Sequence, residues 1–156
     1  MRFLYSQSVA KINYNSEDLK DHDATSAIIK DDKGRILIQE HVKYGFWTIP
    51  IGKVRPGQAV IDGLKEEVFE ETNLKVIDCK ELISKVYDYD RNGTVVKVTA
   101  HVFEITEYEG QLKNMEPHKH SQQLFMSIDD IIKLPYISDT TVLYLSTLGI
   151  KRGNRI

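Results

Sequence analysis

The order of apolar patterns along the chain predicts a mixed α/β fold. β-rich segments are interrupted by one amphipathic helix and closed by another. Three observations carry this. Lys75–Tyr89 and Thr94–Thr106 are β-rich and flank Arg91-Asn92-Gly93, and Asn-Gly is a strong hairpin signal. Gln58–Thr72 has helical periodicity and runs into Asn73, a residue suited to a left-handed C-terminal position. Asp139–Leu148 reads as a terminal helix.

The remaining elements follow in order. Residues 1–22 are mixed and polar, an N-terminal extension that a homodimer could use. Ala24–Lys30 and Arg35–Val42 read as strands joined through Asp31-Asp32-Lys33-Gly34, with Gly available for a positive φ. Phe46–Pro50 reads as a third strand or extended segment, Lys53–Gly57 as a loop, and Glu107–His120 as a polar loop. Ser121–Ser127 is expected to be a strand and Ile128–Leu134 a short helix. The basic tail over 151–156 carries no motif. No linker-like stretch or repeat divides the chain, so one domain over 1–156 is expected.

Composition narrows the function classes. With 41% hydrophobic and 28% charged residues in 156, the chain can build a core without staples. Its lone Cys79 allows no intrachain disulfide. A net charge of −2, from 21 basic and 23 acidic residues, disfavours a nucleic-acid polymer or an anionic membrane as partner. The N-terminus has no signal-like apolar region, and no run approaches the ~20 residues of a spanning helix. A cytoplasmic protein is expected.

The chemistry concentrates on Gln58–Thr72. On a wheel advancing about 100° per residue, Val60, Ile61, Leu64 and Val68 form an apolar stripe. Glu67, Glu70 and Glu71 border it, and Glu66 lies just outside. Like charges at this spacing repel, more so when partly desolvated. Their convergence calls for a cation, and hard oxygen ligands favour Mg²⁺ or Mn²⁺. A solvated acidic face is the competing reading. Gly63, costly inside a helix, suggests close approach of another segment on the carboxylate side.

At this point the sequence resembles the Nudix hydrolase family, in its MutT-like form. Gly52, Glu67, Val68, Glu70, Glu71 and Leu74 match the Nudix box at the right spacing. Phe46–Val54 is similar to the lead-in to that box, with Ile51 in place of a Gly, and Leu124–Ile131 to the family's usual ending. The resemblance covers about 24–148. It implies a Nudix-type α/β/α sandwich with a curved mixed β-sheet. Three box positions differ: Gln58 replaces Glu, Glu66 replaces Arg and Asn73 replaces Gly. The Gln58 amide is expected to donate to Glu66, substituting for the family's ion pair.

The resemblance implies hydrolysis of a phosphoanhydride in a nucleoside diphosphate linked to another group, such as a nucleoside triphosphate, with Mg²⁺ or Mn²⁺. It assigns Gly52, Glu67, Glu70 and Glu71 to the metal, with Glu67, Glu70 or Glu116 as catalytic carboxylates. Lys53, Arg55 and Tyr89 would bind substrate. His118 and His120 stand in the same loop as Glu116 and could act near neutral pH. Two histidines without further Cys or His ligands do not make a zinc site. A catalytically weak nucleotide-binding or sensor module is the alternative that Gln58 and Glu66 leave open.

Overall fold

In the computed structural model, residues 2–3 and 12–153 are described. A five-stranded mixed sheet runs in the order β1 (Arg2–Phe3), β6 (Lys75–Arg91), β7 (Thr94–Glu109), β2 (His22–Ile28), β5 (Ile51–Lys53). A three-stranded antiparallel sheet has the order β4 (Phe46–Thr48), β3 (Ile36–His41), β8 (His120–Met126). The described helices are α1 (Val60–Thr72), α2 (Ile128–Lys133) and α3 (Asp139–Thr147). None is long and apolar enough to cross a membrane.

Alternation along the strands explains the layering. Ala27, Ile29, Leu37, Phe103 and Ile105 pack with Leu64 and Val68 of α1. Their neighbours Ile28, Ile36, Ile38 and Val102 pack with Ile131, Leu143, Tyr144 and Leu145 of α2 and α3. Successive strand residues point to opposite faces, so the run Ala27-Ile28-Ile29 serves both cores at once. Within α1, Leu64 and Val68 are buried as the stripe predicts, whereas Ile61 is exposed. The stripe is therefore narrower than the wheel suggested.

The predicted elements are present, with shifted ends. The helix begins at Val60 rather than Gln58, and Asn73 closes it at φ 66°. The 75–106 hairpin extends to Glu109 and turns at Asn92 and Gly93, both at positive φ. Register shifts along β6 bend its ladder with β7, as bulges do. Phe46–Pro50 differs more. Pro50 has no N–H to continue a ladder, and the chain changes sheets there. β4 pairs with β3, whereas β5 pairs with β2. Lys53, expected in a loop, thus ends a strand. The sheet read as one is divided into two at this point. Of the proposed N-terminal extension, residues 1 and 4–11 lie outside the described residues, as do tail residues 154–156.

His101 on β7 sits between two carboxylates, Nδ1 2.5 Å from Glu81 and Nε2 2.9 Å from Asp23. Burial alone would lower its pKa, but these partners outweigh that and hold it above the usual value. Its stabilising contribution is present below the unfolded value and lost as pH rises through the raised folded value. The Tm gap between wild type and His101→Gln should therefore be larger at about pH 5.5 than at about pH 9, as thermal melts will read. In the α1 core, Leu64→Ala should cost about 2–5 kcal/mol in denaturant unfolding.

Candidate active site

A cleft of about 490 Å³ opens beside α1. Two carboxylates one helical turn apart, Glu67 and Glu71, face it. Gly52 on β5 lies against Glu67, and a Cβ there would fall 2.2 Å from Glu67 Cγ. Only glycine leaves room for that side chain. Gly63 also admits a close approach, though from the side chains of Val54 and Gln58 rather than backbone.

Glu71 is 2% exposed. Its Oε1 accepts from Gln39 Nε2 at 3.0 Å. Gln39 Oε1 in turn accepts from Gln123 Nε2 at 2.7 Å, and that amide also donates to the Glu71 carbonyl at 3.0 Å. Gln39 and Gln123 are cross-strand partners on β3 and β8, so the smaller sheet orients this carboxylate. His120 Nε2 lies 3.3 Å from Glu71 Oε1. Glu71 Oε2 and His120 Nδ1 are buried with no hydrogen-bond partner.

The third member comes from the loop over 110–119. Lys113 N donates to Thr72 O and Met115 N to Glu71 O. These bonds use carbonyls that the end of a helix leaves open. They dock Glu116 beside α1, where one ligand atom from each of Glu71, Glu116 and His120 falls within 4.8 Å of the others. Glu116 Oε2 is also 3.1 Å from Lys119 Nζ.

Electrostatics follow from this crowding. Burial, then the charges of Glu70 and Glu116, push Glu67 up to about 7. Burial raises Glu71 well above the ordinary range, despite the Gln39 hydrogen bond. Burial lowers His120, and burial with the neighbouring His120 takes His41 down to about 4. Carboxylates held against their preference for water, with an unpartnered oxygen and an unpartnered imidazole nitrogen, form a donor set that fits a divalent cation.

The sequence-predicted residues separate. Gly52, Glu67, Glu71, Glu116, Lys53 and Tyr89 line one cleft. Glu70 is exposed and not among the lining residues. Arg55 lies outside the cleft, with Nη2 donating to Glu66 Oε2 at 2.8 Å. Gln58 Nε2 donates to the same oxygen at 3.0 Å, the expected substitute for the family's ion pair. Lys53 Nζ is 2.6 Å from Asp18, and Tyr89 donates its hydroxyl to Asp139 at 2.6 Å. His120, read as part of a polar loop, instead opens β8 and is 2% exposed. Gln39 went unnoticed, although a glutamine closing the apolar run Ile36-Leu37-Ile38 is a signal.

Replacing Gly52 with Ala should displace Glu67. An activity loss of at least about tenfold with little change in Tm is expected, measured by parallel turnover and melting curves.

Comparison with known proteins agrees with this geometry. The NUDIX domain profile matches residues 20–143. A MutT NUDIX hydrolase from Burkholderia pseudomallei superposes with a TM-score of 0.69 at 24% identity, covering 81% of this chain and 96% of that one. The MutT protein from Bacillus halodurans gives 0.66 at 22% identity, covering 84% of each chain. An Ap4A hydrolase from C. elegans gives 0.59 at 18%, covering 82% of this chain and 98% of that one. Curated protein sequences gave no match. The matched profile, over most of the chain, and the shared fold, with Gly52, Glu67 and Glu71 in one cleft, make this chain a member of the Nudix hydrolase family.

Proposed function

We propose that the chain cleaves a phosphoanhydride bond in a nucleoside diphosphate linked to another group, a nucleoside triphosphate or related nucleotide, with Mg²⁺ or Mn²⁺. The observation that carries this reading is Glu71 on the wall of an open cleft, buried with one oxygen unpartnered and clustered with Glu116 and His120. Glu71 and Glu116 would hold the cation, with Glu67 and the Gly52 carbonyl beside them and Glu70 at the exposed edge. When bound, the metal supplies charge neutralisation of the diphosphate and acidification of water.

The chain's own residues do the rest. Glu67 is half-buried on the cleft wall, so it can pass a proton between a water in the cleft and solvent. Glu116, within reach of the same cluster, is the second proton acceptor. Lys53 lines the cleft where a phosphate chain would extend, and Tyr89 lines it with the rings of His41, Tyr44 and Phe46. Such rings stack on a nucleobase. Arg55 acts indirectly in this reading: with Gln58 it fixes Glu66, and so the first turns of α1. That shared anchoring favours an active hydrolase over a disabled binding module, because the Gln58 and Glu66 departures answer one another.

Turnover of a panel of NTPs, dNTPs, nucleotide sugars, ADP-ribose and dinucleoside polyphosphates should require Mg²⁺ or Mn²⁺ and vanish in EDTA. Glu71→Gln should lower kcat/KM by about 100-fold or more. Nucleotide binding without turnover of any substrate would move the assignment to a binding module.

A further inference from the structure

Residues 12–18 precede the segment that matches the NUDIX domain, yet they reach into its cleft. Asn15 and Asp18 close a turn on each other. Asp18 N donates to Asn15 Oδ1 at 2.9 Å, and Asn15 N to Asp18 Oδ2 at 3.1 Å. The β6–β7 hairpin anchors the turn from below. Arg91 Nη1 donates to Asp18 O at 2.6 Å, and Asn92 Nδ2 to Ile12 O at 2.7 Å.

Asp18 is 5% exposed and lines the cleft. Its Oδ1 is 2.6 Å from Lys53 Nζ, and its Oδ2 is 3.8 Å from Lys43 Nζ. Arg91 is 7% exposed and lines the same cleft. Its guanidinium carbon lies 5.2 Å and 5.5 Å from the ring centroids of Tyr14 and Tyr89, and its Nε is buried with no hydrogen-bond partner. Lys53 of β5 and Lys43 of the β3–β4 turn therefore face the carboxylate of Asp18, and Arg91 of β6 holds its main-chain carbonyl, so three cations meet one internal acidic residue. One monoanion leaves this group short of negative charge, and a buried donor is left unused. A phosphoryl group, with more charge and three acceptor oxygens, suits such a set better.

We propose that Lys43, Lys53 and Arg91 form a phosphate subsite of the cleft, and that Asp18 is its internal occupant, displaced when a phosphoryl group of the substrate binds. The turn over 12–18 is then a specificity element: a ligand must offer enough negative charge to replace Asp18. Burial would push the Asp18 pKa up, but Lys53, Asn15 and Lys43 outweigh it and hold the carboxyl below the usual range, so the occupant is charged. The subsite rests on the proposed function only in that the ligand carries phosphate.

Calorimetric titration with inorganic tripolyphosphate, in EDTA and at low salt, tests it without turnover. Asp18→Asn should bind roughly three- to tenfold more tightly than wild type, and adding Lys53→Met should remove the gain. Asn15→Ala, at an exposed position, loosens the same turn with its charge intact and should tighten binding roughly twofold. It decides the matter if Asp18→Asn fails to fold by thermal melt. Unchanged or weaker binding by a folded variant, or a gain that survives Lys53→Met, would overturn the subsite. That result beside intact metal-dependent turnover would leave the proposed function standing, and the converse would leave the subsite.

Discussion

The arrangement depends on a carboxylate buried against its electrostatic preference. Glu71 stands on the last turn of α1, where water would ordinarily solvate it. Packing of Leu64 and Val68 into the sheet fixes the rotation of the helix and carries Glu71 inward with them. Removing a carboxylate from water is expensive unless it is hydrogen-bonded or paired. The smaller sheet answers with the Gln39–Gln123 pair, which satisfies one oxygen and the main-chain carbonyl. The other oxygen is left without a partner, in a carboxylate that clusters with Glu116 and His120. A core that only maximised stability would not contain this feature.

The two sheets divide the work around this point. The larger sheet sets distance: β5 brings Gly52 against Glu67, and β2 buries the residues that hold both cores together. The smaller sheet sets polarity, since β3 and β8 supply the amides and the histidine around Glu71. Pro50 is the joint between these roles. By ending one ladder and letting the next begin on another sheet, it allows Trp47 and Gly52 to belong to different layers while standing close in sequence.

Local signals were legible in the sequence, and long-range ones less so. Asn73 adopts the left-handed conformation its side chain tolerates, and Asn92-Gly93 makes its hairpin, because both are decided within a few residues. The Gln58–Glu66 bond was also readable, since eight residues along a helix start fix the pair in space. The box spacing groups Glu67, Glu70 and Glu71, of which Glu67 and Glu71 line the cleft and Glu70 is exposed. The spacing alone does not give this difference in exposure, because a wheel gives angle but not depth. Ile61 shows the same limit: it lies on the apolar side of the wheel yet is exposed. His120 depended on contacts from strands about 80 residues away, and nothing local distinguishes it from His118. The Asp18 turn lies before the recognisable motif altogether.

The docking of the 110–119 loop on α1 has one more consequence. Its bonds to the carbonyls of Glu71 and Thr72 are made by main-chain N–H groups. They do not depend on which side chains the loop carries. Substitutions around Glu116 that keep this backbone would therefore change what the cleft rim presents without undocking the loop. The separation of the two carboxylates would stay constant. In this protein the main chain of the loop fixes where it sits on α1, while its side chains Glu116, His118 and Lys119 line the cleft.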